Sequence, residues 1–131
     1  ILLYNFQNRN CVVMFIWFDL FPCSMVDVLE GHKVLAFDLE TTGVSTSSDR
    51  IVQIALIGAD EEGNPIHYEA IINPQRPIPS GASNVHGIYD SDVKNKPVFK
   101  EFTEEISKLM EGAVVVGHNA RRFDMPLLES E

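Results

Sequence analysis

The chain has 131 residues, a formal net charge of −9, and hydrophobic and charged fractions of 45% and 22%. That is long enough for one domain with a real core and not for two, and the balance is that of a soluble globular protein rather than a disordered or fibrous one. The acidity argues against unaided binding of a polyanion, although metal ions held in an acidic site can reverse its local sign.

Residues 1–24 read as an atypical apolar, aromatic extension, with Arg9 and Asp19 as its only charges and no sustained helical or strand period. Two readings fit it: translated upstream sequence with Met25 as the true start, or an extension without fixed order. A membrane anchor is a third, weakened because the apolar run Cys11 to Phe18 is too short to span a bilayer. Neither Cys11 nor Cys23 has a partner at zinc spacing, so a disulfide or zinc scaffold is not expected and a cytoplasmic, reducing compartment is the default.

From Met25 the pattern becomes regular, and 25–131 is expected to be a single domain. Lys33 to Asp38 predicts a strand buried on both faces, followed by a Ser/Thr/Gly loop from Gly43 to Arg50. Ile51 to Ala59 and Pro65 to Asn73 predict a hairpin across the polar turn Asp60 to Asn64. Pro74 to Ser80 is a proline-rich crossover, and Ser83 to Val85 a short helix ending near Gly87. Pro97 opens an amphipathic helix whose face is Val98, Phe102, Ile106, Leu109 and Met110, stopped by Gly112. Ala113 to Gly117 is a short apolar strand, and a last helix begins at Arg121. The order β-β-β-α-β-α predicts an α/β fold, a mixed sheet flanked by helices.

Within that frame Asp38 and Glu40 are the residues that carry chemistry. They stand at i and i+2 on one strand, so their carboxylates share a face at its exit. Two like charges there are costly without a cation between them, and oxygen ligands favour Mg²⁺. A third acid, Asp124, follows the last strand. Strands that neighbour each other in an α/β sheet bring such termini together at their carboxyl ends. Three acids could then hold one or two Mg²⁺ or Mn²⁺ ions, a pair about 4 Å apart being suited to phosphodiester attack.

The segment Phe37-Asp38-Leu39-Glu40-Thr41-Thr42-Gly43 resembles the first motif of the DEDD 3′→5′ exonucleases, the DnaQ-like, ribonuclease-H-like group. Gly117-His118-Asn119-Ala120-Arg121-Arg122-Phe123-Asp124 resembles the second, and Pro77 to Ser80 with Val85-His86-Gly87-Ile88 resemble intervening segments of proofreading members. The resemblance implies a ribonuclease-H-like fold and hydrolysis that releases nucleoside monophosphates from a 3′ end. It implies that Asp38 would ligate both metals, Glu40 the one holding the attacking water, and Asp124 the second. Leu39, Thr41, Thr42 and Asn119 would lie near the 3′-terminal nucleotide, with His86 and His118 as further substrate-side candidates. A single-stranded 3′ end of DNA or RNA and a DNA polymerase are the implied partners.

The family also uses a general-base His or Tyr and a fourth carboxylate on a later element. None is apparent before Glu131, so the domain is expected to be C-terminally incomplete and the chain as given metal-poor. It is also expected to leave an apolar sheet edge open to self-association. The alternative reading is a non-catalytic ribonuclease-H-like module that docks on a polymerase or other partner. A haloacid-dehalogenase-type phosphatase is excluded, because the second acid is Glu40 and no later lysine or acidic pair fits.

Overall fold

The structure, a computed structural model, describes residues 2–5, 11–13 and 31–131. Most of the 1–24 extension, and Met25 as a start, lie outside the described residues. The strands are β1 Leu2–Asn5, β2 Cys11–Val13, β3 Val34–Thr41, β4 Ile51–Ala59, β5 Pro65–Ile71 and β6 Val114–Gly117. The helices are α1 Ser80–His86, α2 Asp90–Val93, α3 Thr103–Met110 and α4 Asp124–Ser130, with a 3-10 turn at Phe99–Glu101 before α3.

The strands form one mixed sheet in the order β2-β1-β6-β3-β4-β5. β3 runs antiparallel to β4 and β4 to β5, so the expected hairpin is present. β3 and β6 are parallel, with Val34 opposite Val114 and Ala36 opposite Val116. That pairing decides where a site can lie, because the carboxyl ends of the two strands emerge side by side.

β3 is not buried on both faces as its composition predicts. Leu35, Phe37 and Leu39 are buried, while Ala36 and Asp38 are exposed. The inward set packs with Ile54 and Leu56 of β4, Val115 of β6, Ile106 and Met110 of α3, and Met125 and Leu127 of α4. A strand this short and apolar cannot reveal from composition alone that helices cover only one side of it. A second cluster, Val52 with Ile78, Ile88 and Val93, seats the crossover, α1 and α2 against the other face of β4.

Boundaries moved where backbone chemistry outweighed pattern. The helix expected from Pro97 breaks at Phe102, so its apolar face is shared between the 3-10 turn and α3. The helix near Gly87 starts earlier, at Ser80, and ends on Gly87 in the left-handed region (φ 76°) as expected of a glycine C-cap. α4 begins at Asp124 rather than Arg121, because Asn119 adopts φ 57° and the amides of Arg122 and Phe123 both donate to its carbonyl. α2 is absent from the sequence reading; it is four residues long and held by reciprocal bonds between Tyr89 and Asp92.

The edge of β6 is paired. β1 lies antiparallel along it from Leu2 opposite Gly117 to Asn5 opposite Val114, and β2 adds a further strand. An eighteen-residue apolar helix capable of crossing a membrane does not occur among the described residues.

Candidate active site

Asp38 and Glu40 leave β3 on its open face, and Asp124 opens α4 at the matching end of β6. Gly117 permits the approach: a methyl at its Cα would lie 2.7 Å from the Phe37 carbonyl oxygen and 2.8 Å from Ala120 Cβ. The turn after it, left-handed at Asn119, then swings Asp124 back over the end of β3.

The electrostatics show that the three acids share one field. Asp124 is 5% exposed, and burial with repulsion from Asp38 and Glu40 raises its carboxyl to about 6, against relief from its own amide and His118. Glu40 is raised by desolvation and by Asp38, and lowered by His86. Asp38 is raised by desolvation, offset by the Leu39 amide and His118. Asp38 thus raises Glu40, and both raise Asp124, a repulsion that a cation between them would relieve.

The other expected residues divide. His118 and Asn119 are exposed on the turn beside the acids, and Arg121 and Arg122 are exposed on the same turn. His86, from the far side, joins the site through Glu40. Its Nδ1 accepts the Ile88 amide at 3.1 Å, which leaves the ring proton on Nε2, a buried donor with no protein partner among the described residues. Thr41 is half-buried and its hydroxyl donates to the Gly43 carbonyl at 2.6 Å. Thr42 is 2% exposed, its amide bonded to the Arg50 carbonyl and its hydroxyl to Asp49, so it is built into the turn. Leu39 departs from expectation: alternation along β3 turns its side chain away from the acids and into the core, 7% exposed.

The loop after β3 is more highly built than its Ser/Thr/Gly composition suggests. Asp49 accepts from the Thr42 hydroxyl and the Ser45 amide, and Arg76 donates to the Ser48 carbonyl at 2.6 Å. Arg50 pairs with Glu131, and the Ser130 hydroxyl donates to the Thr46 carbonyl at 2.9 Å. No motif marks these residues; the one available signal is the glycine at 43 facing an acid a few residues on.

Among the described residues, no three His, Cys, Asp or Glu side chains converge closely enough to hold a metal ion as they stand. The donor set itself suits one: it is all oxygen and mutually repelling. Millimolar Mg²⁺ or Mn²⁺ is therefore expected to raise the melting temperature at pH 7.5. The rise should shrink as pH falls through about 6, where a cation must displace the Asp124 proton. Thermal melts over a pH series check this; a shift independent of pH would count against binding at these acids.

The fold and the acid pattern are those of the exonucleases with a ribonuclease-H-like sheet. The RNase_T exonuclease family model matches residues 35–131, and the chain belongs to that family. It is 38% identical over 104 residues to the DNA polymerase III subunit epsilon of Treponema pallidum (strain Nichols), a match covering 79% of this chain and 48% of that protein. It is 32% identical over 104 residues to the 3′-5′ exonuclease DinG of Bacillus subtilis (strain 168), covering 79% of this chain and 11% of DinG. Among solved structures, the zinc-ion-bound form of the E. coli ExoI–ssDNA complex superposes with a TM-score of 0.65 at 26% identity, covering 76% of this chain and 23% of that one. The chain thus spans about half or less of the length of these relatives.

Proposed function

We propose that this chain is a metal-dependent 3′→5′ exonuclease domain that hydrolyses phosphodiester bonds at a single-stranded 3′ end, in a proofreading or repair setting. The observation that carries the reading is the shared field of Asp38, Glu40 and Asp124 at the carboxyl ends of two parallel neighbouring strands. Asp38, Glu40 and Asp124 would hold divalent ions, Mg²⁺ or Mn²⁺, two per site. Such ions, when bound, would make an attacking water more acidic and neutralise charge on the leaving oxygen.

The protein's own groups do the rest. Half-buried Thr41, next to Glu40 on β3, and exposed His118 and Asn119, on the turn before α4, would be the groups offered to a terminal nucleotide. His86, whose charge acts on Glu40, carries on the same side of the site an Nε2 unpartnered among the described residues. A DNA polymerase III subunit and a 3′-5′ exonuclease are among its relatives, which supports a DNA 3′ end and a polymerase partner, in a cytoplasmic setting.

A non-catalytic docking module is the second reading, since no three His, Cys, Asp or Glu side chains among the described residues converge to hold a metal ion as they stand. Asp38→Ala separates the two. It is expected to remove release of mononucleotides from a 5′-labelled oligonucleotide, by at least about 100-fold, and to weaken Mn²⁺ uptake. Unchanged Mn²⁺ uptake in the variant, or equal hydrolysis, would reject the enzyme.

A further inference from the structure

We propose that Asp49 is a positioning residue for this site: its carboxylate clasps the Thr41–Gly43 turn and thereby fixes the bulge that aims Glu40. The catalytic consequence rests on the exonuclease reading; the clasp itself does not.

The β3–β4 pairing is regular from Val34 opposite Ala59 to Glu40 opposite Gln53, and then slips, placing Thr41 opposite Ile51. Val52 is the extra residue. Its carbonyl turns away from β3 and accepts the Ile72 amide at 2.8 Å. A bulge re-aims the side chains beside it, and Glu40 is the last residue before the slip. Whatever holds the slip in place therefore holds the direction of Glu40.

Thr42 is the joint. Its amide donates to the Arg50 carbonyl at 2.9 Å, and its hydroxyl oxygen accepts the Arg50 amide at 3.0 Å. That hydroxyl can accept in this direction only while its proton points elsewhere, and the proton is given to Asp49 Oδ1 at 2.8 Å. Asp49 Oδ2 takes the Ser45 amide at 2.9 Å, and the Asp49 amide returns a bond to the Ser45 carbonyl at 2.9 Å. The carboxylate thus closes the loop from both sides while fixing the Thr42 rotamer.

Gly43 completes the fit. A methyl on its Cα would stand 2.5 Å from Asp49 Oδ2 and 2.8 Å from Oδ1. An alanine there must push the carboxylate off Thr42 or Ser45. Gly43→Ala and Asp49→Ala should therefore break the same joint from opposite sides, with effects that do not add.

The test measures Mn²⁺ affinity, oligonucleotide hydrolysis and amide exchange in Asp49→Ala, Asp49→Asn, Gly43→Ala and the Gly43/Asp49 double variant. Asp49→Ala is expected to weaken Mn²⁺ about tenfold, as loss of a ligand-orienting group does. It should lower kcat by a similar factor with KM for the oligonucleotide changed less than about twofold. Asp49→Asn keeps an acceptor for Thr42 and loses one for Ser45, so it should fall between. The double variant should match Asp49→Ala rather than the product of the two singles. Variants that melt cooperatively and bind Mn²⁺ like the wild type overturn the proposal. If the wild type itself neither binds Mn²⁺ nor degrades the oligonucleotide, the exonuclease reading falls separately. The clasp is then decided by exchange: faster exchange at Thr42, Ser45 and Arg50 in Asp49→Ala upholds it, and unchanged exchange removes it.

Discussion

Asp124→Asn is expected to yield a chain that hydrolyses no 3′ end and melts several degrees higher than the wild type at pH 7.5. Asp124 is buried and repelled by Asp38 and Glu40, which raises its folded-state pKa to about 6 from the 3.8 of a free side chain. The folded chain therefore holds this proton more tightly than the unfolded one. Stability rises as pH falls from above 6 toward 4, and above 6 the ionised carboxylate opposes folding in full. Asparagine keeps the shape and removes the charge, which should stabilise the chain by about 2 kcal/mol at pH 7.5. Acidification from pH 7 to 5 should then stabilise the wild type and do much less for the variant. Melting curves across that range, run beside a hydrolysis assay, check both halves. A variant less stable than the wild type at pH 7.5 would mean that Asp124 is already paired.

Gly117→Ala should damage both stability and activity from a position with no reactive group. Its added methyl meets the Phe37 carbonyl at 2.7 Å and Ala120 Cβ at 2.8 Å, neither of which is the free end of a flexible chain. Either β6 moves away from β3 or the turn carrying Asn119 shifts, and each separates Asp124 from Asp38. A loss of about 2–3 kcal/mol is expected, as for overpacking of a filled core. Hydrolysis should fall about 100-fold, since displacements near 1 Å are enough for that. Denaturant titration and a single-turnover assay on the same preparation measure the two effects. Full activity at unchanged stability would show that the approach of β6 to β3 is looser than the contacts imply.

The acids were legible because a strand fixes the side on which i and i+2 fall, and because Asp124 follows a second strand that is short and wholly apolar. Leu39 faces the core because alternation, not proximity in sequence to Asp38 and Glu40, assigns its face. The role of Asp49 was hidden because Ser, Thr and Gly in a loop have the same composition whether the loop is loose or closed by a carboxylate. The pairing of β6 with β1 was hidden for another reason: Leu2–Asn5 and Cys11–Val13 are too short for periodicity to register. The one-sided burial of β3 depends on where α3 and α4 settle, which is a tertiary fact.

The bond from Ser130 to Thr46 joins residues 84 apart in the chain, and the Arg50–Glu131 pair spans nearly as far. Contacts of that separation form late, because a long loop must close before they yield anything. The hairpin of β4 and β5 can assemble while the chain is still emerging from a ribosome, whereas α4 cannot contribute until almost all of residues 31–131 have been made. The acids of β3 thus wait, apart from Asp124, until the segment that carries α4 has been made. Asp124 enters the field of Asp38 and Glu40 only once α4 has docked on the loop after β3.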